Sequence, residues 1–141
     1  MCLKIFCDGE QTKFDQLKEN ARRLGKAFQK VNFLRDIKSD YYERGRLYFP
    51  EIDIESFDEE KKAEIIDNIK NDFEQSLTGI KKLNKGARLG VFLAYTYYLK
   101  LLRKIERTSP AYLIKKRIRV GNLHKILLIF SVKMRSFLGL I

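Results

Sequence analysis

The chain has 141 residues, 45% hydrophobic and 33% charged, which fits one soluble domain and excludes a disordered or low-complexity segment. Its formal net charge of +11 is uneven, with 16 Lys/Arg against 17 Asp/Glu in residues 1–83 and 13 against the single Glu106 in residues 84–141. Two cysteines without a CxxC pair and a single, distant histidine exclude a disulfide framework and a zinc finger, and no apolar run is long enough for a bilayer span or a signal-peptide core. A cytoplasmic location follows as the expectation. The basic part of the chain attracts phosphates of any kind: nucleic acid, anionic lipid or a diphosphorylated metabolite.

In chain order, nearly every segment predicts helix and none shows strand alternation. A short polar turn around Asp8 and Glu10 precedes a helical pattern from Gln11 to Arg44, with an interruption expected near Glu19-Asn20 and Gly45 as terminator. The loop GRLYFPEIDIES follows, and Ser56 with Glu59 three residues on predicts a capping box. Behind it Ile66, Ile69, Phe73, Leu77 and Ile80 recur at helical spacing, until LNKGARLG ends that helix. Residues 87–102 are apolar nearly all round, which predicts a helix buried among others. Ser109-Pro110 opens a short basic segment, and Asn122 is placed to cap a cationic, amphipathic last helix to about Leu138. That last helix is expected to contact an anionic membrane surface peripherally. The fold class is therefore all-α, a bundle of about five helices in one domain over residues 1–141.

The helix over residues 29–44 carries more polar groups than a core helix tolerates. At 100° per residue Gly25, Gln29, Asn32, Asp36 and Asp40 share one face about 80° wide. Asp36 and Asp40 stand one turn apart, and two adjacent carboxylates resist burial unless a cation joins them. A hard cation such as Mg²⁺ answers that need, because it binds through one or two carboxylates together with substrate phosphates. Asn32 can extend the oxygen ligation, Gln29 can hydrogen-bond a neighbouring ligand, and Arg35 suits a phosphate or an aspartate. A lone DxxxD is most often a solvated helix face, so the spacing of the whole string carries the argument.

That string, Q-x-x-N-x-x-R-D-x-x-x-D followed by G-R-x-Y-x-P, lies within ARRLGKAFQKVNFLRDIKSDYYERGRLYFP at residues 21–50. It resembles the second aspartate-rich region of the phytoene/squalene synthase family, with Leu24-Gly25, Gln29, Asn32, Arg35, Asp36, Asp40, Gly45, Arg46, Tyr48 and Pro50 all matching. VFLAYTYYLKLLRKI and RIRV are similar to that family's carboxyl-terminal helices. The resemblance implies a partial isoprenoid-synthase fold and a prenyltransferase that joins two prenyl diphosphates head to head. It implies Asp36, Asp40 and Asn32 as Mg²⁺ ligands, Gln29, Asn32, Arg35 and Arg46 around the diphosphate, and Asp36, Asp40, Arg35 and Tyr48 as catalytic residues. NFLRDIKSD is closer to carotenoid-pathway members, which implies geranylgeranyl diphosphate condensed to phytoene; farnesyl diphosphate condensed to squalene is the alternative.

The resemblance covers only the carboxyl-terminal half of such a synthase. No counterpart of the family's first aspartate-rich helix precedes residue 21, and MCLKIFCDG is similar to an interior helix end of the family. A truncated gene, a split gene or a deliberately shortened chain accounts for this, with a separate chain carrying the amino-terminal half as one candidate partner, and little or no condensation is expected from these 141 residues alone. A basic helical nucleic-acid-binding protein is the rival from another class; no recognised motif supports it, so no nucleic acid is expected as partner. Gly25 beside Ala21 predicts close helix packing, Tyr95, Tyr97 and Tyr98 predict core, and Arg117 and Arg119 are expected on a solvated face.

Overall fold

The computed structural model describes residues 2–38, 57–118 and 121–137. Among these residues there are six helices and no strand: α1 (Cys2–Phe6), α2 (Gln11–Lys38), α3 (Glu59–Lys81), α4 (Lys85–Glu106), α5 (Pro110–Lys115) and α6 (Asn122–Phe137). The all-α expectation holds. Asp40, Gly45, Arg46, Tyr48, Pro50 and Ser56 lie outside the described residues, and so does Arg119.

α2 is the spine. Its 28 residues make a rod about 42 Å long, continuous through Glu19-Asn20, where an interruption was expected. The residue that departs from helical geometry is Asp36, at φ −111° and ψ 15°. Leu24, Ala27, Val31, Leu34 and Ile37 fall on one side at spacings of three and four and are buried. They meet Ile66, Ile69, Phe73 and Ile80 of α3, as the spacing in α3 predicts.

Caps and close approaches fix the geometry. Asp58, rather than Ser56, occupies the N-cap of α3 and accepts a hydrogen bond from the Lys61 backbone N–H at 2.9 Å. An acidic cap followed by Glu59 and Glu60 also suits the positive end of the helix dipole. Lys62, buried at the same end, donates to the Thr108 carbonyl at 2.9 Å and fastens α3 to the turn before α5. Close packing of α2 on α3 occurs at Gly79, where an added Cβ would overlap the Asn20 side chain. Gly25, expected in that role, faces open space instead.

α4 contributes Phe92, Tyr95, Leu101, Leu102 and Ile105 to the core. It is less enclosed than its all-round apolar sequence predicts: Val91, Leu93, Tyr97, Tyr98 and Leu99 are only half-buried. Asn84 caps it by accepting from the Ala87 N–H at 2.9 Å, while its amide donates to the Phe6 carbonyl at 3.3 Å and to Asp8 Oδ2 at 3.0 Å. Asp8 and Gly9 sit at φ 53° and 78°, the left-handed pair that turns the chain from α1 into α2. Leu113 and Ile118 are buried and seat the α5 end of the chain against the core. α6 packs on α4.

Candidate functional site

The polar stripe of α2 lies beside its buried face, and successive turns of it meet different surroundings. Gln29 is exposed, whereas Asn32 and Asp36 are half-buried. Asn32 and the Tyr98 hydroxyl of α4 exchange hydrogen bonds, with Nδ2 donating to the hydroxyl at 3.0 Å and Oδ1 accepting from it at 3.2 Å; a hydroxyl can accept and donate at once. The Tyr98 ring stacks on Phe28 at 4.1 Å between centroids, and its edge meets Tyr97 at 5.5 Å. Tyr95 lies deeper, edge-on to Phe73 at 5.3 Å, and burial pushes its hydroxyl pKa above the ordinary value. The three tyrosines are thus core or core-edge side chains, as expected, with Tyr98 facing the polar stripe.

One turn beyond Asn32, Asp36 is held between two guanidiniums. Arg35 Nη2 and Nε donate to its Oδ2 at 2.6 Å and 3.1 Å. Arg117, between α5 and α6, places Nε 2.6 Å from Oδ1. The hydrogen bond from Arg35 to Asp36 raises the arginine pKa further, against the opposing effect of burial, so Arg35 is a permanent cation. Arg117 was expected on a solvated face. Its side chain is indeed half exposed, but buried Ile118 beside it anchors the segment so that the guanidinium reaches α2. Nothing in the local sequence signals a pair separated by 81 positions. The three side chains form a cluster of net charge +1 at the described end of α2.

Toward the other end of α2, a cavity of about 610 Å³ opens between α1, α2, α3 and α4. No charged side chain lines it. It exists because residues facing across it are small: Ala21 and Gly25 on α2, and Gly86, Ala87, Gly90 and Ala94 on α4. Gly25, Gly86 and Gly90 have nothing within 4 Å of an added Cβ. Phe28 bounds the cavity on the side nearest Asn32 and Asp36, and stands about 12 Å along the helix from Asp36. The four-residue recurrence of small residues at 86, 90 and 94 was visible in the sequence; that they face an open space was not.

Chemically, Asp36 and the Asn32 amide offer oxygen donors of the kind a hard divalent cation takes. Among the described residues no group of three or more His, Cys, Asp or Glu side chains comes together to hold a metal ion. Here Arg35 and Arg117 stand at the two Asp36 oxygens and the Tyr98 hydroxyl at Asn32 Oδ1, so Mg²⁺, which commonly binds through one or two carboxylates with water and phosphate, would take these donors in place of those partners. Among the described residues no helix is long and apolar enough to cross a membrane.

Fold and site together define an all-α protein with an apolar cavity along one helix and a guanidinium–carboxylate cluster at that helix's end. The sequence matches the squalene/phytoene synthase family over residues 1–124, and the chain belongs to that family. It is 35% identical over 106 residues to the 15-cis-phytoene synthase of Synechocystis sp., covering 64% of this chain and 31% of that protein. It is 28% identical over 127 residues to the 4,4'-diapophytoene synthase of Staphylococcus haemolyticus, covering 79% of this chain and 44% of that protein. The chain therefore spans less than half the length of these curated relatives. No solved structure matches it.

Proposed function

We propose that this chain supplies one wall and one diphosphate-binding end of a prenyltransferase that condenses two prenyl diphosphates head to head, of the phytoene synthase type. The observation that carries the proposal is the Arg35–Asp36–Arg117 cluster on the same helix as an uncharged cavity of about 610 Å³. An anionic head and a long apolar tail need that combination. The volume falls in the range of about 300–1,000 Å³ usual for small-molecule sites. Each prenyl methylene that leaves water in such a cavity contributes about 0.8 kcal/mol.

The polar end does different work. Arg35 and Arg117 flank Asp36, so a diphosphate bridged to Asp36 by a cation would meet both guanidiniums as they pass from the carboxylate to the phosphate oxygens. As charge develops on the departing diphosphate, those fixed cations stabilise it. Asn32, oriented by Tyr98, holds its amide toward the same end of the stripe. In this proposal Asp36, Asp40 and Asn32 hold Mg²⁺, while Gln29, Arg46 and Tyr48 complete the polar surroundings of the diphosphate. The metal would supply neutralisation of phosphate charge. Geranylgeranyl diphosphate is the proposed substrate, in keeping with the likeness to the 15-cis-phytoene synthase of Synechocystis.

Because the chain spans only part of its relatives, binding rather than turnover is the decisive measurement. Titration calorimetry with a non-hydrolysable geranylgeranyl thiodiphosphate is expected to show binding that needs Mg²⁺. Asp36→Asn is expected to weaken it about tenfold or more, and Arg117→Gln to weaken it to a similar degree, as loss of one charged contact does. Equal affinity with and without Mg²⁺, or an unaffected Asp36→Asn, would overturn the assignment. A steeply salt-dependent affinity for RNA or DNA that ignores Asp36 would support a nucleic-acid-binding role instead. Adding a separate polypeptide with the remaining family helices is then expected to yield Mg²⁺-dependent diphosphate release.

A further inference from the structure

Asp36 has two cationic partners, and they are not equivalent. Arg35 precedes it on α2, moves with it, and is 20% exposed. Arg117 arrives from a segment 81 positions away and is 52% exposed. It sets Nε 2.6 Å from Oδ1 and Nη2 3.5 Å from Oδ2, while Arg35 turns both Nε and Nη2 to Oδ2. Oδ1 itself is closed to solvent. Arg117 is thus the group that stands against Oδ1, and the partner that can leave with the least rearrangement.

A carboxylate so covered is not open to a second cation. Mg²⁺ takes carboxylate oxygens at about 2.1 Å, which sets it in repulsion with a guanidinium 2.6 Å from the same atom. Arg117 has to withdraw before Oδ1 can ligate. If it withdraws for a metal ion alone, it stands beside a dication with no anion to balance it. If a diphosphate is present, Arg117 exchanges one anion for another, because phosphate oxygens accept guanidinium contacts as a carboxylate does.

We infer that Arg117 is an exchangeable counter-ion that couples metal and diphosphate loading: it guards Asp36 against a divalent cation alone and yields it when a diphosphate arrives to receive the guanidinium. This rests on the reading of this end of α2 as a diphosphate site, and adds to it the coupling of the two ligands. By linkage, cation and diphosphate raise each other's affinity by one common factor, and Arg117 supplies part of that factor. The site therefore stays unloaded in free Mg²⁺ and fills when substrate is present.

The two ligands are titrated separately on the full chain. Mn²⁺ stands in for Mg²⁺, and its binding without phosphate is followed by electron paramagnetic resonance. The geranylgeranyl thiodiphosphate is titrated by calorimetry in saturating Mg²⁺. Arg117→Gln is expected to raise affinity for Mn²⁺ alone about fivefold, the size of a half-exposed ion pair, and to lower affinity for the analogue about tenfold. Lys116→Gln removes the same charge from the adjacent exposed position and is expected to change either affinity by no more than about twofold. Because Arg117 is half exposed, its unfolding curve is expected to stay in place, which separates the opposed changes from damage to the fold. Mn²⁺ affinity that is unchanged or lower in Arg117→Gln, or an equal gain in Lys116→Gln, would overturn the inference even where Asp36→Asn still weakens the analogue. An Asp36→Asn chain that binds the analogue as the parent does overturns the reading of the site, and this inference with it.

Discussion

The two sides of α2 meet their neighbours in opposite ways. Toward α3 the helices are locked: Gly79 lets Asn20 in, and the Asn20 amide donates to the Gln75 carbonyl at 2.7 Å and to Thr78 Oγ1 at 3.1 Å. Further along, buried Asp72 of α3 receives Lys30 at 2.6 Å and Arg23 at 3.3 Å from α2, and Lys30 also reaches Asn68. Toward α4 the same helix faces glycines and alanines with nothing between them. Small residues serve both sides, yet only where a partner side chain fills the gap do they produce contact. Glycine content alone therefore does not distinguish a tight seam from a cavity; the residue facing the glycine does.

The sharpest way to break this comparison is to add the same methyl group on each side. Gly79→Ala must displace Asn20 and its two hydrogen bonds, and is expected to cost about 3 kcal/mol in denaturant unfolding. Asp72→Asn removes the charge shared by Lys30 and Arg23. Because those cations are 26% and 34% exposed, water takes part of the load, and a loss of about 2 kcal/mol is expected rather than the full penalty of a buried unpaired ion.

On the cavity side the sign reverses. Gly90→Ala meets no atom within 4 Å and should stabilise the chain by about 1 kcal/mol through helix propensity, read by the same unfolding curve. Gly90→Leu should keep that stability and still exclude an apolar ligand, seen as loss of binding of the thiodiphosphate analogue. The smallest effect is on alkaline stability. Tyr95 has its pKa raised above 10.0 mainly by burial, so the unfolded state ionises first and stability falls as pH rises beyond that value. Lys70, raised by its hydrogen bond to Glu106, also gives stability that is lost as pH climbs. Thermal scans at pH 8 and pH 11 should show a smaller drop for Tyr95→Phe than for the parent chain.

Much of this was legible in the sequence, because periodicity reports burial. The core face of α2 and the stripe in α3 follow from spacing, and the family follows from one string within residues 21–50. What escaped depends on contacts between distant segments. The interruption expected at Glu19-Asn20 does not occur; the Asn20 amide donates to acceptors that α3 offers. The cap moved from Ser56 to Asp58 because both fit the local pattern and the helix start decided between them. Gly25 looked like a packing residue because nothing in the string says what stands opposite. Arg117 was discounted because Asp36 is its neighbour only after folding. The carboxylate expected beside Asp36, Asp40, lies outside the described residues, and so do Arg46 and Tyr48.

Asn84 is one side chain fastening three backbone segments: the exit of α1, the left-handed turn after it and the first turn of α4. Cys2, Leu3 and Phe6 of α1 close the end of the cavity remote from Asp36, so the rivet that secures the chain's beginning also sets the depth of its interior. Amide hydrogens of α1 and of the α4 entrance should then exchange as one unit, and an Asn84→Ala chain should open at that end while the Arg35–Asp36–Arg117 end keeps its protection.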